Sequence, residues 1–93
     1  MTWIERDKAL HRDIRTPDFL TAFAMLAALA PLAEKANHHP DIELGWGYLR
    51  IKLTTHDAGG VTEKDHQLAE KLDRVIDRFD DKSVSISPVA GHE

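Results

Sequence analysis

Cysteine is absent from this chain, which excludes disulfides, thiolate chemistry and cysteine-bound zinc. No apolar run approaches the roughly 20 residues that a membrane span needs, so no membrane association is expected. The opening Met1-Thr2-Trp3-Ile4-Glu5-Arg6 lacks the charged-then-apolar layout of a signal peptide. There is no basic patch or stripe, since acids and bases are interspersed over a net charge of −4 and a pI near 5.8. A reader of nucleic-acid backbones would show one, and no nucleic-acid partner is expected. No internal repeat and no low-complexity tract appears. The expectation is a soluble, cytoplasmic protein.

What is there suffices for one domain. Ninety-three residues, 42% of them hydrophobic, lie near the lower end of what builds a self-sufficient core. A domain of this size gains stability by self-association, so a homo-oligomer, dimer or tetramer, is expected.

Two short segments, Trp3–Arg6 and Ala9–Arg15, flank Asp7-Lys8 and read as a β-hairpin. Thr16-Pro17-Asp18 is a helix start, with Thr16 as cap, Pro17 in the first helical position and Asp18 at the positive end of the dipole. Phe19, Phe23, Leu26 and Ala30 recur at helical spacing, which predicts a helix from Pro17 to about Asn37. Pro31 is expected to bend that helix without dividing it. If its last turn holds, Glu34 and His38 stand one turn apart on one face. Ile42, Leu44 and Trp46 then alternate as a half-buried strand, Gly47-Tyr48 turns the chain, and Leu49, Ile51 and Leu53 alternate as a second. Asp57-Ala58-Gly59-Gly60 is a loop, and Thr62-Glu63-Lys64-Asp65 reads as a capping box with Asp in the usual Glu position. Leu68, Leu72, Val75, Ile76 and Phe79 stripe a final helix, followed by a flexible tail over 82–93. The order β-β-α-β-β-α predicts a two-layer α+β fold, a four-stranded antiparallel sheet with both helices on one face.

Three of the six histidines, His38, His39 and His56, fall within nineteen consecutive residues. Glu34, Asp57 and Asp65 lie close by in sequence. Imidazole both gives and takes a proton near neutral pH, so this cluster is the candidate for acid–base chemistry. His11, His66 and His92 lie outside it.

The spacing resembles that of the pterin-4a-carbinolamine dehydratases. The matching residues are Glu34, then His38-His39-Pro40, Trp46 after five residues, His56 after nine more and Asp65 after eight. The flanking Thr55-His56-Asp57-Ala58-Gly59-Gly60-Val61-Thr62 is similar to the family's loop. The chain departs from many members in showing no helix ahead of its first strand, and in carrying Ile42 where some have an aromatic.

The resemblance implies dehydration of 4a-hydroxytetrahydropterin to quinonoid dihydropterin, which recycles the pterin used by aromatic amino-acid hydroxylases. It implies His38 and His56 as the acid–base pair and His39 as the residue orienting the substrate. Glu34 and Asp65 would support imidazoles, as carboxylates hydrogen-bonded to histidine do. Pro40 would shape the loop, Asp57 would be a supporting residue of the substrate site, and Trp46 would pack on the pterin ring or fill the core. No cofactor is expected, because the pterin's own N5 lone pair expels the hydroxyl. Two rivals stand beside this reading. A metal site of His38, His39 and His56 has no HExxH spacing behind it, and adjacent histidines chelate poorly together. A non-catalytic dimerisation or assembly partner on the same fold is the other.

Overall fold

Residues 3–80 are described by a computed structural model. The expected tail over 82–93 lies outside them. Strands β1 (Ile4–Arg6) and β2 (Ala9–Arg15) form the first hairpin, with Asp7 and Lys8 both at positive φ, 53° and 64°. Two successive left-handed residues make the two-residue hairpin turn whose twist suits its strands. Trp3 precedes the strand and is buried.

Helix α1 spans Phe19–Ala36 and is continuous through Pro31. Its cap is Asp18, whose carboxylate accepts from the Thr21 N–H at 2.7 Å. This corrects the expected start. Thr16 does not cap, because its hydroxyl donates to the Asp18 carbonyl at 2.9 Å, and Pro17 lies outside the helix. An extended Asp18 puts its short carboxylate within reach of the first free N–H groups, and Asp is a strong N-cap. At the other end Asn37 turns left-handed, with φ 52°, and its N–H bonds to the Ala33 and Glu34 carbonyls.

Strand β3 (Asp41–Gly45) pairs with β4 (Tyr48–Leu53), and the sheet order is β1-β2-β4-β3, antiparallel throughout. The turn is Trp46-Gly47, one residue earlier than expected, with Gly47 at φ 84°. Helix α2 (Glu63–Asp80) follows a 3-10 turn at His56–Ala58.

The two-residue period of the strands decides what reaches the core. Leu10 opposes Leu53, Arg12 opposes Ile51 and Ile14 opposes Leu49 on the inner face. That face packs against Met25, Leu29 and Ala33 of α1 and Leu68, Leu72 and Ile76 of α2. His11, Asp13, Arg15, Arg50 and Lys52 line the outer face. Arg12 is thus a charge turned inward. It bonds to Asp73 of α2, which also accepts from the Trp3 indole at 2.7 Å. A buried guanidinium needs such a partner, and this pair staples the first hairpin to α2.

Helix α1 corrects the expectation about long apolar runs. By length and composition alone, its 18 residues are long and apolar enough to cross a membrane. In the sequence Thr21, Pro31, Glu34 and Lys35 interrupt the run, which hides its overall apolarity. In the fold, Ala22, Met25, Leu29 and Ala33 of α1 are buried. Its opposite face is open and apolar, with Phe19 50% and Phe23 54% exposed.

Candidate active site

The antiparallel register gathers one end of the sheet. Asp41 pairs with Lys52, so the segment entering β3 and the segment leaving β4 lie at the same end. The first carries His38, His39 and Pro40, and the second carries Thr54, Thr55 and His56. The first turn of α2 closes on them with Asp65.

Asp65 is fully buried and holds the centre of the site. One carboxylate oxygen accepts from His38 Nε2 at 2.6 Å, and that histidine side chain is 12% exposed. The other accepts from the Thr55 hydroxyl at 2.7 Å and the Thr62 N–H at 2.8 Å. Burial by itself raises the Asp65 carboxyl, but the hydrogen bonds from His38, Thr62 and Thr55 outweigh it and hold the group below its ordinary value. The capping box therefore exists, with Asp65 reaching back to Thr62. Its second role is as the acceptor for a histidine.

Neighbouring His39 faces a different partner. Its Nε2 meets Glu34 Oε1 at 2.9 Å, and both side chains are exposed. Glu34 and His38 are expected on one face only if the last helical turn holds, and it does not. The helix ends at Ala36 and Asn37 reverses the backbone, so the i to i+4 relation is lost and Glu34 meets the next histidine instead. Beside this pair lies a groove of about 190 Å³ between α1 and β3, whose walls include Leu26, Leu29, Ala33, Glu34, His39 and Pro40.

His56 and Asp57 are exposed on the 3-10 turn. Thr55 and Gly60 close this loop with reciprocal bonds, Thr55 N–H to Gly60 at 3.0 Å and Gly60 N–H to Thr55 at 3.3 Å. Thr55 links the loop to the buried network through its bond to Asp65.

Trp46 stands apart. It occupies the β3–β4 turn, 73% exposed, and belongs to neither the strand nor the core. Five strand residues separate it from Pro40, about 20 Å of extended chain. Within one protomer it does not wall the histidine site. The alternation read through Ile42 and Leu44 stops at Gly45 because the next residues make the turn.

Sequence reasoning missed Thr55 and Thr62. The signal was available for Thr62, since a capping box names its first residue. Thr55 stood in the stretch that is similar to the family's loop, but its bond to Asp65 needs β4's exit folded against α2. Among the described residues, no three His, Cys, Asp or Glu side chains gather closely enough to hold a metal ion.

Known proteins resemble most of the chain. A relative from Roseiflexus sp. (strain RS-1), provisionally named a pterin-4-alpha-carbinolamine dehydratase, is 40% identical over 74 residues, covering 80% of each chain. Another with that provisional name, from Haloarcula marismortui, is 44% identical over 75 residues, 81% of this chain and 82% of its own. A crystal structure described as a transcriptional coactivator/pterin dehydratase from Brucella melitensis superposes with a TM-score of 0.74 at 36% identity, over 80% of this chain and 81% of that one. A pterin dehydratase-like protein identified as a RuBisCO assembly factor in the alpha-carboxysome superposes at 0.68 with 27% identity, over 81% and 89%. The profile of one family matches residues 1–75, and on these grounds the chain belongs to the pterin 4 alpha carbinolamine dehydratase family.

Proposed function

We propose that the protein dehydrates 4a-hydroxytetrahydropterin to quinonoid dihydropterin by histidine acid–base catalysis, returning the pterin for reuse by an aromatic amino-acid hydroxylase. The observation that carries this reading is the buried Asp65 with His38 at 2.6 Å. A carboxylate hydrogen-bonded to one imidazole nitrogen orients the ring and increases the basicity of the other. In the reaction the C4a–O bond breaks, the departing oxygen takes a proton and leaves as water, and N5 loses its proton as the C4a=N5 double bond forms. His38 and His56 are the groups for these two proton transfers. His39, steadied by Glu34 at the rim of the apolar groove, orients the substrate. The test is turnover of chemically generated 4a-hydroxytetrahydropterin. The rate should exceed the spontaneous one in proportion to protein concentration, and a rate indistinguishable from the spontaneous one rejects the reading.

A second reading has its own support. The structural relative at 27% identity is described as an assembly factor, so the fold is compatible with service as a protein partner. The two readings separate in that same assay.

We further propose self-association through the open face of α1. Phe19, Phe23, Ala27, Ala30 and Pro31 are exposed along it, following the spacing of one helix face. Contiguous apolar surface of this kind marks an interface. Sedimentation of the parent should show an oligomer at micromolar concentration, and Phe23→Glu should shift it to monomer. A parent that sediments only as monomer contradicts this.

A further inference from the structure

The buried network around Asp65 has a direction that the dehydratase reading does not use. An ionised carboxylate only accepts hydrogen bonds, so each bond reaching Asp65 has its proton on the far side. The Thr55 hydroxyl donates to Asp65 at 2.7 Å. With its one proton committed there, Thr55 takes part in its 2.8 Å contact with the Thr62 hydroxyl as acceptor, and Thr62 is the donor. Thr62 Oγ1 accepts in turn from the Lys64 N–H at 3.3 Å. The Thr62 N–H donates to the same carboxylate oxygen as Thr55, at 2.8 Å. Among the described residues, two donors therefore occupy Oδ2, and His38 is the partner of Oδ1.

From this geometry we infer that Thr55 is the positioning residue of the site: its hydroxyl fixes the Asp65 carboxylate so that His38 keeps its proton on Nε2. His38 Nδ1 is then the atom that exchanges a proton with a bound ligand. The same residue closes the His56 loop through its backbone bonds to Gly60. Thr55 thus joins the two histidines of the acid–base pair, the first through its side chain and the second through its main chain. Valine in its place keeps the shape and the backbone bonds but removes the donor. Oδ2 would then lose one of its two fixed partners, and the carboxylate would rotate against the imidazole.

The test is nitrogen NMR of the His38 ring, which distinguishes the two neutral tautomers. The parent should show a single Nε2–H form, Thr55→Val a mixture, and Thr55→Ser the parent pattern. A parent with its proton on Nδ1, or a folded valine variant with an unaltered tautomer, overturns the inference. Thr55→Ala replaces the valine variant if that one fails to fold. The kinetic arm rests on the dehydratase reading. There Thr55→Val should lower kcat about tenfold, the lower range for removing a partner that orients a working histidine, with KM unchanged and serine restoring the rate. A tautomer shift in a protein without dehydratase turnover would reject the activity and leave the positioning role standing.

Discussion

His38→Ala should lose about 10²–10⁴-fold in dehydration rate, the range for a positioned acid or base. This corresponds to roughly 3–5 kcal/mol of transition-state stabilisation. The expectation rests on the arrangement around the ring, which is 12% exposed and held against a fully buried carboxylate. Water entering the space left by alanine would meet the same Asp65 carboxylate, but it lacks an imidazole's capacity to give and take a proton near neutral pH. His56→Ala belongs at the lower end of the same range, because its imidazole is exposed and solvent can take over part of its proton transfer. His39→Ala should chiefly raise KM, since a group that orients substrate equally in ground and transition states contributes to binding alone. Its exposed pair with Glu34 adds little. His11→Ala and His66→Ala should change neither parameter. Steady-state kinetics on all five variants, with circular dichroism to verify folding, tests the assignment. Parent-like turnover by His38→Ala would remove it and favour the assembly-partner reading.

Asp65→Ala should be the most destabilising change in the site. It leaves the Thr62 N–H, the Thr55 hydroxyl and His38 Nε2 without their common acceptor. Orphaned donors and a lost helix cap together cost roughly 2–4 kcal/mol, or a Tm lower by roughly 10–20 °C in a domain of this size. The cost should depend on pH in one direction. Asp65 titrates below its ordinary value of 3.8 in the folded state, so its contribution to stability is complete above that value. It is lost as pH falls through the lower, folded value, where the native carboxylate takes up its proton. The gap in stability between parent and Asp65→Ala should therefore narrow as pH falls below 3.8. Urea titrations at several pH values measure it. A gap that stays the same into strong acid would mean that the carboxylate is not what the network stabilises.

Much of this arrangement follows from local chemistry. The two-residue alternation of Leu49, Ile51 and Leu53 sets the inner face of β4 wherever the strand lies, and Leu68, Leu72 and Ile76 do the same for α2. The capping box from Thr62 to Asp65 is equally local, because it needs only a helix start. The spaced set from Glu34 to Asp65 located the candidate site for the same reason: its members are close in the chain.

Partnerships across elements were decided by tertiary structure. Asn37 adopts a left-handed conformation, and that single backbone choice hands Glu34 to His39 and sends His38 to Asp65. Arg12 sits at an inward position of β2, where the sequence shows only a charge among charges, and Asp73 from a helix 61 residues away makes its burial tolerable. Trp46 carries the family spacing but stands at the far end of the β3–β4 hairpin, because a strand of fixed rise separates it from Pro40. The Asp65 carboxylate shows the division most clearly. Its bond to Thr62 spans three residues and is written into a local motif, whereas its bond to His38 spans 27. The second exists only because the core brings the end of α1 and the start of α2 together, and no local preference of either segment encodes that approach.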